Sequence, residues 1–192
     1  MKVITINGSP RKEGNTAAML KKFTSKLEDE GIETETINIG GKMIRGCTAC
    51  MKCFENKNSK CIFDDDIINE CIAKMKEADG IVIGSPTYFA DVNTETKALI
   101  DRAGFVSLAN DSFFSRKAGA AVVAVRRAGA VRAYNSINQL FGITNMFTVG
   151  SSYWNIGIGL NPGDVNDDAE GMQTMESLAS NMAWLLKKIH SE

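Results

Sequence analysis

The sequence predicts an α/β domain in which a doubly wound, five-stranded parallel sheet carries helices on both faces. Apolar runs of strand length alternate along the chain with longer segments of helical periodicity, which is typical of parallel sheets with crossover helices. Because such crossovers are right-handed, the favoured strand order is 2-1-3-4-5. The 192 residues, 44% of them hydrophobic, suit one domain with a full core, predicted to span residues 1–192.

The predicted elements follow one another from the first residues of the chain. Residues 3–7 form a short apolar run that ends at Gly8, which indicates a buried strand. Residues 15–30 carry apolar side chains at helical spacing, and Gly31 stops this helix. The other predicted strands are at residues 33–39, 80–84, 118–125 and 145–152, and the other predicted helices are at residues 65–78, 94–102, 131–141 and 170–189. Ligands of such sheets bind beyond the carboxyl ends of the strands, so the loops after the first, third and fourth strands are the expected site.

Composition and charge argue against several classes of function. The net charge is −1 and the pI is about 5.9, so we expect no binding to nucleic acid or to an anionic membrane. The longest apolar run, residues 118–125, is far shorter than the roughly 20 residues that cross a bilayer. The first residues read as a strand without an export signal, so the expected localisation is cytoplasmic. A single histidine, His190, argues against Ser-His-Asp or Cys-His catalysis and against a histidine-ligated metal.

The loop between the first strand and the first helix, residues 7–16, is a candidate phosphate site. Free backbone N–H groups at a helix N-terminus attract an anion. Ser9, Asn15 and Thr16 can donate side-chain hydrogen bonds, and Arg11 can donate a charged one. The loop matches neither the Walker pattern nor G-x-G-x-x-G. The alternative is a helix capped by its own polar side chains.

Two further loops belong to the same predicted sheet edge. Residues 84–89 supply an aromatic pair and backbone N–H groups, which suit the edge and face of a flat ring. Residues 126–129 place two arginines and a glycine where positive charge could stabilise a reduced ring. The alternatives are core packing for Tyr88 and a solvated rim for the arginines. Three such loops at one edge favour a bound flat cofactor with a single phosphate.

Residues 40–63 have neither helical nor strand periodicity, and we interpret them as a cysteine-rich insertion in the domain. Four cysteines fall here in a compact run, Cys47-x2-Cys50-x2-Cys53-x7-Cys61. Such runs hold [4Fe–4S] clusters in ferredoxins, whereas structural zinc more often uses two separated CxxC pairs. Bare or redox-active thiols are the other alternative. The fifth cysteine, Cys71, lies on the apolar face of a predicted helix and is expected in the core.

Two acidic stretches have ordinary structural interpretations. Residues 64–66 are three aspartates at the start of a predicted helix, where N-capping and the helix dipole explain them. The aspartates within residues 164–168 lack the spacing and the glycine of an EF-hand loop. They predict a turn-rich loop rather than a calcium site.

Four motifs together resemble the NADPH-dependent FMN reductase family over nearly the whole chain. They are GSPRKEGNT at residues 8–16, GSPTYF at residues 84–89, K(x3)DR at residues 97–102 and GDVNDDAEG at residues 163–171. The spacing of the cysteine run is similar to that of the iron–sulfur flavoprotein branch of this family.

The resemblance implies a flavodoxin-like fold, bound FMN, and homodimers or homotetramers with the flavin near a subunit interface. It implies a phosphate site at Ser9, Arg11, Asn15 and Thr16 and a ring site at Pro86, Thr87, Tyr88, Phe89, Arg126, Arg127, Ala128 and Gly129. No side chain is expected to act as a catalytic acid or base, because the cofactor carries the redox chemistry.

Three hypotheses about function follow. The preferred one is an iron–sulfur flavoprotein that moves electrons between FMN, a [4Fe–4S] cluster on the four cysteines of the run, and a partner such as ferredoxin. The first alternative is an NAD(P)H-dependent FMN or quinone reductase without a cluster. The second is a flavodoxin-type electron carrier with no substrate site.

Overall fold

A computed structural model describes residues 1–191 and contains the expected parallel sheet. Its strands are β1 (Lys2–Asn7), β2 (Glu33–Asn38), β3 (Gly80–Tyr88), β4 (Asp91–Val92), β5 (Ala118–Val125), β6 (Phe147–Thr148) and β7 (Ile156–Ile158). The main order is β2-β1-β3-β5-β6, with all four pairings parallel. This is the predicted order 2-1-3-4-5, counted over the five principal strands, and the doubly wound fold is confirmed.

The helices cover both faces of the sheet, as predicted. They are α1 (Asn15–Asp29), α2 (Lys52–Asn56), α3 (Ile68–Glu77), α4 (Thr94–Ala109), α5 (Ala130–Ile143) and α6 (Ala169–Ile189), with a 3₁₀ turn at Asp164–Asp167. Successive residues of a strand face opposite sides of the sheet. Accordingly, Ile81 and Ile83 pack in a core with α3, α4 and α5, whereas Val82 packs in a second core with α1 and α6.

Two strand boundaries differ from the prediction. The third strand does not end at Gly84 but runs to Tyr88, because Ser85 and Pro86 continue the pairing with β5. The Gly-Ser-Pro sequence is expected to end a strand, yet it stays paired with β5. The residues that follow it pair antiparallel with β4. Of the strand predicted at residues 145–152, only β6 forms. Strand β7, which was not predicted, pairs with the second half of β5 in its place.

The boundaries of α3 and α4 also differ from the prediction. The helix α3 begins at Ile68 rather than at residue 65, and its N-cap position, Ile67, has no capping side chain. The expectation that the aspartates at residues 64–66 cap the helix is therefore largely wrong. Asp66 accepts a hydrogen bond from the Ile68 N–H at 3.0 Å, but its carboxylate mainly pairs with the buried Arg102. The helix α4 extends to Ala109, since residues 103–109 are small or apolar and mostly buried.

The cysteine-rich stretch is a loop, interrupted only by the five-residue helix α2. It crosses the ends of α3 and α4 on one side of the sheet, where Cys53 and Cys61 pack against the core. No helix in residues 1–191 combines the length and the hydropathy that a membrane span requires.

Candidate functional site

A cavity of about 150 Å³ opens at the carboxyl edge of the sheet, where the three predicted loops meet. Its wall contains eight of the predicted residues: Ser9, Arg11, Asn15, Thr16, Pro86, Thr87, Tyr88 and Arg126. The register explains the convergence, because Asn7 of β1 lies level with Gly84 of β3, and Gly84 lies level with Val122 of β5. The loops that follow these residues emerge side by side.

The N-terminus of α1 faces this cavity with free N–H groups. Its N-cap residue is Gly14, no side chain caps it, and its first turn contains no acidic residue. The alternative of a side-chain-capped helix is therefore wrong. Uncapped N–H groups and the positive end of the helix dipole form a site for an anion.

Hydrogen bonds fix the loop that leads into α1. The Ser9 N–H donates to Asn7 Oδ1 at 3.0 Å, and the Arg11 N–H donates to Ser9 Oγ at 3.2 Å. The exposed Arg11 guanidinium donates from Nη1 to the carbonyl oxygen of Leu160 at 3.1 Å, so it spans the mouth of the cavity. Thr16, on the first turn of the helix, is buried against the sheet.

Asn15 has a role that sequence reasoning missed. Its Oδ1 accepts hydrogen bonds from the N–H groups of Gly163 at 3.0 Å and Val165 at 3.3 Å, which ties α1 to the loop after β7. That loop supplies Gly159 and Leu160 to the cavity wall. A Cβ on Gly159 would lie 2.6 Å from Asn15 Nδ2, so the close approach requires glycine.

Asn93, at the start of α4, holds in place the two cavity loops that contain Gly8 and Ser85. This buried side chain donates to the carbonyl oxygen of Gly8 at 2.6 Å, and its own N–H donates to Ser85 Oγ at 3.3 Å. A Cβ on Gly8 would lie 2.1 Å from Thr96 Oγ1, so a larger residue at position 8 would push the phosphate loop away. The sequence carried no signal for this network beyond the motif glycine.

The turn after β3 presents one aromatic ring to the cavity and the other to solvent. Thr87 Oγ1 donates to the carbonyl oxygen of Ala124 at 3.1 Å, and the half-exposed Tyr88 lines the cavity. Phe89 is fully exposed, with left-handed backbone (φ 48°). Four residues of the predicted ring site lie outside this cavity wall: Phe89, Arg127, Ala128 and Gly129. Gly129 packs against Ala90, and the other three are exposed.

The four cysteines of the run line a second, much smaller cavity of about 20 Å³. Phe63, Phe105 and Val106 complete its apolar wall, together with the buried Arg102. Cys71 lies outside it in the core, as predicted, and burial raises the pKa of its thiol to about 12. Burial also raises the pKa of Cys53. The compact spacing therefore brings together Cys47, Cys50, Cys53 and Cys61 and leaves out Cys71.

Left-handed backbone shapes the loop that carries these cysteines. Ala49 (φ 51°) and Met51 (φ 59°) alternate with the cysteines, although neither is a glycine. Such conformations persist where the surrounding structure imposes them, and they occur often at functional sites. The Ala49 N–H donates to Cys47 Sγ at 3.4 Å. The first three cysteines thus follow a tightly wound turn.

The cavity as it stands has the size of about one water molecule. Within residues 1–191, no group of three or more histidine, cysteine, aspartate or glutamate side chains is arranged to hold a metal ion. The four thiols thus share a cavity wall but are not gathered around one point.

Arg102, the arginine of the K(x3)DR motif, is the charged residue of this wall, a place that the motif did not predict. It is 1% exposed and forms an ion pair with Asp66, whose side chain is also buried. Burial works to lower the pKa of Arg102, but Asp66 and then Cys61 beside it raise the pKa above its usual value. Its Nε has no hydrogen-bond partner within residues 1–191.

A third cleft, of about 660 Å³, lies between the two sites. Tyr88 lines both this cleft and the 150 Å³ cavity. Arg45 and Asp66 are also in its wall, and both are bound to Arg102 of the cysteine cavity. The two sites are therefore connected by neighbouring side chains on one side of the molecule.

A doubly wound sheet with an uncapped helix N-terminus and an aromatic side chain at its carboxyl edge defines the flavodoxin-like class of proteins. The family model described as NADPH-dependent FMN reductase matches residues 1–161, and the chain belongs to this family. As a member it is a flavin oxidoreductase with an FMN-dependent redox function. The resemblance drawn from the motifs is confirmed.

Several relatives cover the whole chain. An iron–sulfur flavoprotein of Methanocaldococcus jannaschii is 38% identical over 98% of this chain and 99% of that protein. An iron–sulfur flavoprotein of Methanosarcina thermophila is 32% identical over 98% of this chain and 97% of that protein. Among solved structures, a flavodoxin from the domain Archaea has a TM-score of 0.63 at 20% identity, covering 97% of this chain and 99% of that one, which shows the shared fold.

Proposed function

We propose that this chain is an iron–sulfur flavoprotein that binds FMN at the sheet edge and a [4Fe–4S] cluster through Cys47, Cys50, Cys53 and Cys61. It would exchange electrons with a redox partner such as ferredoxin or NAD(P)H. The observation that carries the proposal is that all four cysteines of the run line one cavity. Two whole-chain relatives that bear the name iron–sulfur flavoprotein support it.

We place the FMN phosphate at the N-terminus of α1. The uncapped N–H groups there match a phosphate dianion. Arg11 supplies a charged hydrogen bond from the mouth of the cavity, and Ser9 and Thr16 supply hydroxyl groups from its wall. Asn15 contributes by holding the loop of Gly159 in place.

We place the isoalloxazine ring against Pro86, Thr87 and Tyr88 at the end of β3. Arg126 lines the same cavity, and no aspartate or glutamate does within residues 1–191. Positive charge without a competing carboxylate favours the phosphate and stabilises negative charge on a reduced ring. Phe89 and residues 127–129 lie outside the cavity wall, and their contact with the ring stays a prediction.

The donors around the cysteine cavity suit a cluster. Thiolates alone ligate [4Fe–4S] centres, and four thiols are available here. The walls of Phe105 and Val106 would keep water away from it. Because the cavity holds only about one water, a cluster requires the loop to move outward. That loop is exposed at Cys50 and Met51, so little packing opposes the movement.

When bound, flavin exchanges electrons in pairs or singly, and a [4Fe–4S] centre exchanges them singly. The chain itself provides placement, charge and exclusion of water. Within residues 1–191 the wall of the flavin cavity contains no carboxylate, histidine or thiol, and we expect the cofactor itself to carry the redox chemistry.

A second candidate is a flavin reductase of the same family without a cluster, which would oxidise NAD(P)H and reduce FMN or a quinone. The observation that favours it is the small volume of the cysteine cavity and the lack of a grouped metal site within residues 1–191. In this case the four thiols would be unligated, and no single cysteine of the run would matter for NAD(P)H oxidation.

Iron analysis of anaerobically purified protein, reconstituted with iron and sulfide, separates the two candidates. We expect about four irons per chain, with FMN bound at the separate flavin cavity. Each Cys→Ser substitution at positions 47, 50, 53 and 61 should lower the iron content and leave FMN in place. Cys71→Ser is the matched control and should keep its iron, because Cys71 lies in the core. Protein that binds FMN but no iron under these conditions would favour the reductase instead.

A further inference from the structure

The guanidinium of Arg102 donates hydrogen bonds to three partners, but one of its nitrogen atoms has no partner within residues 1–191. Its Nη1 donates to the carbonyl oxygen of Arg45 at 3.1 Å, and its Nη2 donates to the carbonyl oxygen of Phe63 at 2.8 Å. Nη1 also contacts the carboxylate of Asp66. Only Nε, which is completely buried, has no acceptor within residues 1–191.

A buried donor without a partner is costly and uncommon. Leaving such a group unsatisfied destabilises the fold, and more so when the group is charged. Both Nη1 and Nη2 are held by acceptors, so the side chain has little freedom to turn Nε toward water. An unpaired N–H in this setting indicates that Nε meets an acceptor when the site is filled.

The surroundings show which acceptor would fit. Arg102 is in the wall of the cavity that the four cysteines line, and Cys61 lies beside its guanidinium. The remaining wall is largely apolar. Sulfur atoms are therefore the acceptors that this donor meets.

Arg102 also fixes the ends of the cysteine loop. Its carbonyl partners, Arg45 and Phe63, precede Cys47 and follow Cys61 in the chain. One side chain on helix α4 thus holds both ends of the loop.

We propose that Arg102 contacts the cluster, donating its Nε–H to a sulfur on the Cys61 side and raising the reduction potential of the centre. This inference rests on the proposed function. Reduction adds negative charge to the sulfurs, and a fixed, charged hydrogen bond in a buried site stabilises that charge. Asp66 binds Nη1 and so fixes the orientation of the guanidinium.

The test is a redox titration of the cluster in anaerobically reconstituted, FMN-loaded protein, monitored by electron paramagnetic resonance. Arg102→Lys keeps the positive charge beside Asp66 but loses Nε–H. Arg132→Lys is the matched control, since Arg132 pairs with Asp91 on the exposed surface of α5. Iron content is measured on every sample.

We expect Arg102→Lys to retain iron and to shift the reduction equilibrium at least tenfold toward the oxidised state, which is about 59 mV for one electron. The control should keep the wild-type potential. Full iron content with an unchanged potential in Arg102→Lys would overturn this inference alone, whereas a wild-type protein that binds no iron would overturn the proposed function.

A second measurement covers the case in which Arg102→Lys loses iron. Wild-type protein labelled with 15Nε-arginine should show a nitrogen coupling to the reduced cluster by electron–nuclear double resonance. Arg45→Lys, labelled in the same way, should keep this coupling and so assign it to Arg102. No coupling in the wild-type protein, or its loss in Arg45→Lys, would overturn the inference.

Discussion

Replacing Arg11 with alanine tests the phosphate site. Arg11 is exposed at the mouth of the flavin cavity, and one of its N–H groups already donates to the carbonyl oxygen of Leu160. The remaining guanidinium N–H groups are available to a phosphate. The substitution therefore removes a charged hydrogen bond to the ligand and one tie across the cavity.

The structure sets the size of the effect. A hydrogen bond to a charged group contributes about 1.5–3 kcal/mol, and the exposure of Arg11 favours the lower end of this range. About 1.5 kcal/mol corresponds to roughly tenfold weaker binding of FMN. Because the interaction is partly screened, the difference should shrink as salt concentration rises.

Titration of apo-protein with FMN, followed by quenching of flavin fluorescence, measures this change. Lys12→Ala is the matched control, because it removes the same charge from the next residue, which does not line the cavity. We expect the dissociation constant to rise about tenfold for Arg11→Ala and to change little for Lys12→Ala. Equal weakening in both variants would mean that Arg11 acts only through net charge, and no change in either would place the phosphate elsewhere.

Three further predictions follow from side chains in and around the sites. Gly159→Ala should weaken FMN binding, because its Cβ would lie 2.6 Å from Asn15 Nδ2; the titration above measures it, and wild-type affinity would contradict the close approach. Burial raises the pKa of Asp66, but the hydrogen bonds from Arg102, Ile68 and Arg45 and the charge of Arg102 together outweigh burial, so the net pKa is lowered. The ion pair therefore stabilises the fold above the unfolded pKa of about 3.9 and is lost as pH falls below it. Asp66→Asn should lower the free energy of unfolding, measured by denaturant titration, by about 3 kcal/mol at neutral pH. This difference from the wild-type protein should become smaller below pH ~4, and a difference that does not change with pH would refute the prediction. Cys71 should resist alkylation at pH 8 in native protein and react after unfolding, as read by mass spectrometry, and rapid native labelling would contradict its burial.

The fold followed from the sequence because alternation of strands and helices is a local pattern. The strand order and the coverage of both faces depend on that pattern and on the handedness of crossovers. The strand boundaries that were predicted wrongly depend on pairing with neighbouring strands. Residues 85–88 are strand because β5 and β4 pair with them, and β7 exists because β6 leaves the second half of β5 unpaired.

The residues of the candidate site were likewise predicted only in part. Ser9, Arg11 and Tyr88 were predicted from loops whose positions the sheet dictates. Gly159 and Leu160 were missed, since they reach the cavity only through the pairing of β7 and the hydrogen bonds that the following loop donates to Asn15. Arg102 was known only as the arginine of the K(x3)DR motif, which does not show that it is buried. It is buried because the segments on both sides of the cysteine run cover it in the folded protein.

We propose that one chain carries both a flavin and a cluster that can be reduced. Reductive titration of anaerobically reconstituted protein, with FMN and iron determined on the same sample, tests this directly. We expect uptake of about three electrons per chain, two by the flavin and one by the cluster. Uptake of only about two electrons by protein that holds one FMN per chain would contradict it.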